Sequence, residues 1–312
     1  MIRLSSILRP VLRLSAEEFP KIAARQFGVH DDIERVWQDF APTAHALVDS
    51  FWTTVDHPRF STLVPLLNAT DDPVRGVAYE GAGMGLSLLD FLLPGKRRTA
   101  DFLDGPGRTY KPMVYIGAGL VLPRVPVDPL KVMARFSDDD RWLMLDGYGF
   151  YHGFFSPDRA LRRQVRPRRI TGYAARMFDR GLGRSLWFTS AANTHRLTAT
   201  IERFPLARRG DLWSGVGLAC AYAAGVLDEL AMRRLVNAAD QQADQFAVGV
   251  AVGAGFRARH PADHTELACT VSWGTDAATV TKMAERNRTP GHEAWRERMR
   301  ASYHTTTAVR AD

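Results

Sequence analysis

Cysteine is nearly missing from this sequence: Cys220 and Cys269 are the only two among 312 residues, each inside an apolar stretch. They read as small buried hydrophobes rather than as a disulfide or a thiolate metal pair. No run of 18 uninterrupted apolar residues occurs, so a membrane-spanning helix is not expected. The N-terminus is basic, but Arg9, Pro10 and Arg13 cut its apolar run short, which makes a poor signal peptide. The expected compartment is the cytoplasm. Catalytic signatures are missing too, with no Gly-x-Ser-x-Gly elbow, no P-loop and no His-Glu-x-x-His. His260-Pro-Ala-Asp-His264 has metal-like spacing, but Pro261 breaks the helix that would set both rings on one face. Neither a metal nor a cofactor is expected.

What is present begins with charge. The net charge is +7 and is carried almost entirely by arginine. The densest cluster, Arg162-Arg163-Gln-Val-Arg166-Pro-Arg168-Arg169, has no interleaved aromatics that would stack on bases, so nucleic-acid binding is not expected. A solvated helix end accounts for it. An acidic partner, such as a carrier protein or an anionic membrane surface, is the other reading.

Internal periodicity dominates the rest. A Gly-x-Gly pair recurs at Gly147/Gly149, Gly181/Gly183 and Gly215/Gly217, and Gly249 opens a further unit, each 34 residues after the last. Upstream, Gly81/Gly83 and Gly117/Gly119 continue the series with steps of 36 and 30. A period of 34 residues is that of helix–turn–helix repeats. Trp213-Ser-Gly-Val216-Gly217 resembles the Trp-x-x-Leu-Gly of tetratricopeptide units, although that family's later signature positions are mostly missing. The fold expected is all-α, a right-handed α-solenoid of degenerate 34-residue repeats. Residues 1–69 would form a helical cap, 70–285 the repeats and 286–312 a C-terminal helix with a disordered tip.

Each helical glycine costs about 1 kcal/mol relative to alanine. Such a cost persists where backbones approach closely. Helix starts fit this register: Ser15-Ala-Glu-Glu18, Thr70-Asp-Asp-Pro73, Ser137-Asp-Asp-Asp140, Asp211 and Asp240 all read as N-caps. The triplet Asp138-Asp139-Asp140 has a second reading as a metal or diphosphate site. Second helices are expected at Pro157–Val165, Thr194–Glu202 and Val226–Val236, with a proline-broken linker at Val121–Pro129.

Seven places after the first glycine of each repeat stand Phe154, Phe188, Tyr222 and Phe256, every one aromatic. The rings are either core between repeats or the lining of a groove for a long apolar ligand. With Trp213 and Arg180 they form the candidate ligand-binding set. The candidate chemistry lies beside them, in Asp146, Tyr148, Tyr151 and His152, and in Glu80, which sits one place before its glycine as Asp146 and Arg180 do. For His152 the other reading is a satisfied core histidine. For Asp146 and Glu80 it is a salt bridge to Arg180 or Arg184.

The runs Tyr79-Glu-Gly-Ala-Gly-Met-Gly85, Phe102-Leu-Asp-Gly-Pro-Gly-Arg-Thr-Tyr110, Gly147-Tyr-Gly-Phe-Tyr-His-Gly153 and Gly172–Phe188 resemble the UnbL-type proteins of bacterial enediyne gene clusters. The resemblance covers residues 5–305. It implies a place in enediyne assembly, after an iterative polyketide synthase has made a linear polyene. It also implies an UnbV-type partner and an UnbU-type membrane partner, with peripheral membrane association through the latter, and an acyl carrier protein is a further candidate partner. It assigns no catalytic residue. Two classes stay open: a module that holds the intermediate or docks partners, and a cofactor-free enzyme with His152, Tyr151 or Asp146 as acid or base.

Overall fold

The computed structural model describes residues 4–28, 31–223, 225 and 228–311; among these it is all-helical, with no strand. In chain order the α-helices are α1 (Leu4–Leu12), α2 (Glu18–Phe27), α3 (Asp31–Asp56), α4 (Phe60–Asn68), α5 (Asp72–Leu92) and α6 (Arg98–Asp104). Next come α7 (Lys111–Val121), α8 (Pro129–Met133), α9 (Leu143–Phe155), α10 (Gly172–Thr189), α11 (Thr194–Ile201) and α12 (Leu206–Tyr222). The chain ends with α13 (Glu229–Ala239), α14 (Ala243–Arg257), α15 (Asp263–Trp273), α16 (Ala277–Arg286) and α17 (His292–Ala311).

The glycine pairs explain how these helices stack. Helices α3, α5, α7, α9, α10, α12 and α14 pack each against the next. Within a pair, the first glycine faces the preceding helix and the second faces the following one. Gly181 abuts the Asp146 carbonyl and Gly183 that of Leu212; Gly215 abuts Arg180 and Gly217 abuts Phe246. At each of these positions a Cβ would fall inside 3.0 Å of a backbone oxygen, closer than real Cβ atoms come. The helices therefore touch backbone to backbone, and a side chain of any size would part them. The glycine contacts also fix direction. Gly81 and Gly85 meet Leu47 and Thr54, Gly149 and Gly153 meet Phe178 and Ser185, and Gly249 and Gly253 meet Ser214 and Leu218. Hence α3–α5, α9–α10 and α12–α14 are parallel pairs. One continuous apolar core runs from Ala16 to Met299, so α3 in the N-terminal segment and α17 at the other end share it.

Several local expectations need correction. Asp211 lies inside α12, where it takes Arg176 and Arg296 instead of capping. Asp240 has φ +46° ahead of a short 3₁₀ turn, and α14 starts only at Ala243. Asp138 precedes a 3₁₀ turn but makes no cap; Lys111 and the Tyr115 hydroxyl donate to its carboxylate. Side-chain caps are instead made by Asp128, Asn193, Asp228 and Asp276. The second helix expected at 157–165 shrinks to one π-helical turn, Asp158–Arg162, because Gln164 takes φ +55° and Pro167 follows. The helix expected at Val226–Val236 starts at Glu229; Val226 and Leu227 lie outside the described residues. At the C-terminus, α17 continues to Ala311, where a disordered tip was expected.

Candidate functional site

Glu80, Asp146 and Arg180, each one place before a first glycine, join Arg184 in a buried ionic line. Arg180 Nε donates to Asp146 Oδ2 at 2.8 Å, Arg184 Nε lies 2.8 Å from Asp146 Oδ1, and Arg184 Nη1 donates to Glu80 at 3.4 Å. All four side chains are buried. Two cations against two carboxylates make the group neutral, as burial of charge requires. Burial raises the Glu80 carboxyl above its ordinary range against the opposing pull of Arg184. The Arg184 guanidinium also lies 4.5 Å from the Phe150 ring centre.

Three of the four column aromatics sit beside this line. Phe154, Phe188 and Tyr222 line a small pocket of about 50 Å³ with Phe19, Trp37, Glu80 and Arg184. That space holds one or two waters and no chain molecule. Helices α2 and α3 close it: the rings of Phe19 and Phe154 are 5.1 Å apart, and those of Phe40 and Phe188 are 5.0 Å apart. Phe154 and Tyr222 are core here, and Phe188 is half-buried against it. Trp213 is buried against Phe246, at 6.3 Å between rings, and lines neither this cavity nor the cleft described below.

The candidate acid–base residues fall into two groups: Glu80 with Asp146, and a ring cluster in which His152 is flanked by Tyr148 and, at 5.9 Å between ring centres, by Tyr151. Glu80 and Asp146 belong to the ionic line. Tyr148 and His152 pair at 4.7 Å, with Phe178 5.6 Å from the imidazole. Tyr151 turns to a different pocket, under the Arg124 guanidinium at 5.1 Å. Among the described residues His152 Nε2 is buried without a hydrogen-bond partner, and burial pushes the imidazole down to about 4 from an ordinary 6.5. The unfolded chain therefore binds this proton first as pH falls. The contribution is fully present above pH 6.5 and declines as pH drops toward 4. His152→Phe should accordingly flatten the loss of stability across that window; an unchanged slope in urea midpoints against pH would show that His152 titrates normally.

The fourth aromatic, Phe256, leads to a larger space. Its ring is 6.0 Å from Tyr222, and it lines a cleft of about 480 Å³ between α14, α16, the start of α17 and the segment before α9. Phe256, Trp295, Leu143 and Val252 give the cleft apolar walls. Asp139, Asp140, Arg288 and His292 give it a polar side. Asp139 accepts the Gly291 backbone N–H at 2.8 Å, which ties the loop before α17 to the acidic segment. The Asp140 carboxyl is raised, first by burial and then by Asp138. His292 is hydrogen-bonded through Nδ1 to the Tyr173 hydroxyl. Burial, with Arg180 and Arg296 nearby, holds its imidazole well below the ordinary range, so it is neutral at physiological pH. The raised carboxyl and the lowered imidazole line the same cleft.

His292 and Trp295 escaped the sequence reading because the C-terminal helix is polar overall, and Arg288 because it lies in the loop before that helix. The available signal was the spacing of His292, Trp295, Arg296 and Met299, which puts four helix-facing residues on one stripe. The acidic triplet was noticed, and the structure divides it: Asp138 bonds to α7, Asp139 to the loop, and Asp140 lines the cleft. Among the described residues no three His, Cys, Asp or Glu side chains converge on a metal position. The two cysteines are free and buried, and burial pushes the Cys269 thiol up to about 12.

The family model described as "Protein of unknown function (DUF1702)" matches residues 4–303, and the chain belongs to that family. Neither a curated protein nor a solved structure matches it.

Proposed function

We propose that this DUF1702 protein binds an elongated apolar small molecule in the cleft between α14 and α17. The observation that carries the reading is the cleft itself. Its volume of about 480 Å³ lies in the range of small-molecule sites, and its apolar walls meet a few convergent polar groups. On the resemblance to the UnbL-type proteins, the occupant is a polyketide-derived polyene of enediyne assembly. UnbV-type and UnbU-type proteins, and an acyl carrier protein, are then the partners that deliver or receive it. The 34-residue spacing of the glycine pairs further supports a right-handed solenoid as the scaffold.

An enzymatic role is a second reading, favoured by a neutral His292 and a raised Asp140 on the polar side of the same cleft. It moves the acid–base work from His152 and Tyr151 to these two residues, with no cofactor required.

A conjugated polyene fatty acid, whose fluorescence rises in apolar surroundings, tests the binding reading. The protein should bind it saturably at one site. Phe256→Ala and Trp295→Ala should each weaken binding about tenfold or more, since each removes on the order of 100 Å² of apolar wall. Phe188→Ala, at the small pocket beside the ionic line, should not act directly on the probe. Undiminished binding by both cleft variants would refute the site.

A further inference from the structure

The strongest feature outside the cleft is the end of α5. Seven consecutive residues there, Phe91-Leu-Leu-Pro-Gly-Lys-Arg97, are exposed. Three are large hydrophobes, with Phe91 and Leu92 each 39% exposed and Leu93 47% exposed. Soluble surfaces rarely present three in succession. The following Lys96 and Arg97 have no ion-pair or side-chain hydrogen-bond partner among the described residues.

The loop is nonetheless held in a fixed form. Asp90 accepts the backbone N–H groups of Arg98 and Thr99, both at 2.9 Å, so it clamps α5 to the first turn of α6. Arg98 Nη1 lies 3.4 Å from Asp90 and donates to the Leu93 carbonyl at 3.0 Å. The internal charges thus neutralise each other, and the two that point outward are both cations. A rigid apolar tip beside unpartnered basic groups is the chemistry of an interfacial anchor.

A second apolar pair stands at the same end of the helix layer. Ser5 of α1 bonds to Asp56, the last residue of α3, and α3 runs parallel to α5. On α1, Ile7 and Val11 are 58% and 70% exposed, four residues apart on one face. No described helix is long and apolar enough to cross a membrane.

We propose that the α5–α6 loop docks the protein directly on an anionic lipid surface, with Leu92 and Leu93 entering the interface and Lys96 and Arg97 meeting lipid headgroups. Charge selects this occupant, since the two charged groups in the exposed 91–97 segment are both cations without an ion-pair partner among the described residues, while the exposed carboxylates Asp101 and Asp104 lie farther along α6. The anchor stands independently of what fills the cleft.

Vesicle sedimentation tests it, with the full chain and phosphatidylcholine vesicles prepared with and without phosphatidylserine. The wild-type protein should bind the anionic vesicles, weaken as salt rises, and ignore the neutral ones. Lys96→Gln with Arg97→Gln should lower the vesicle partition about thirtyfold, each basic group near such a surface being worth about fivefold. Leu92→Ser with Leu93→Ser should lower it at least tenfold. All four side chains are exposed, so thermal melts of both variants should match wild type. Wild-type protein that stays in solution with anionic vesicles would overturn the proposal. So would variants that bind as wild type does. If the serine variant instead changes the oligomeric state while vesicle binding persists, the tip is a self-association surface, and the lipid assignment is wrong.

Discussion

Replacing Gly215 with leucine will lower stability by about 3 kcal/mol or more, the upper range of overpacking penalties. The first atom added already collides with backbone: a Cβ at this position falls inside 3.0 Å of the Arg180 carbonyl oxygen and of the Arg184 nitrogen. No rotamer relieves that contact, because both partners are helix main chain. The helices α10 and α12 would have to separate, which opens the core on both sides of the contact. Gly215→Ala should be harmful for the same reason, reversing alanine's usual advantage in a helix. Gly255 supplies the control. It lies in α14 with nothing within 4 Å of its would-be Cβ, so Gly255→Ala should stabilise by up to about 1 kcal/mol. Urea midpoints of the three variants check this; a neutral Gly215→Ala would show that the pairs do not set the helix spacing.

Asp146→Ala should cost about 3–5 kcal/mol. The carboxylate serves two buried arginines at 2.8 Å each, through opposite oxygens. Its removal leaves the buried Arg180 with no carboxylate among the described residues and the buried Arg184 with only the longer contact to Glu80. An exposed pair of similar length provides the contrast. Arg233 and Glu229 meet at 2.5 Å but are both more than half exposed, so Arg233→Ala should change stability by less than about 1 kcal/mol. Equal effects at the two sites would mean that water reaches the ionic line.

Part of this was legible in the sequence because it repeats. The Gly-x-Gly series marks helix positions where close approach is compulsory, and such a demand leaves a residue-type signature. The aromatic column was legible for the same reason, but its meaning was not. Whether Phe154 and Phe188 face a groove or a core depends on where α2 and α3 lie, and Phe19, Trp37 and Phe40 carry no mark of the helices they will cover. Only Phe256, beyond the reach of those helices, borders a ligand-sized space. The cleft joins residues far apart in the chain, from Pro112 to Trp295. No local pattern encodes that meeting. The caps misread at Asp138 and Asp211 fail for a related reason: a carboxylate near a helix start is taken by a distant arginine, lysine or tyrosine when one arrives.

Energy transfer from tryptophan to a bound conjugated polyene fatty acid tests the central claim most directly. Trp295 lines the cleft, whereas Trp187 and Trp213 are buried elsewhere in the core. If the apolar chain lies in the cleft, Trp295→Phe should retain most of the binding and lower the transfer measurably, since phenylalanine keeps an aromatic wall but removes the donor that lines the cleft, while Trp142 beside Leu143 and the remaining tryptophans still contribute. Transfer that survives Trp295→Phe undiminished while binding is retained would place the ligand somewhere other than between α14 and α17, and would contradict the account.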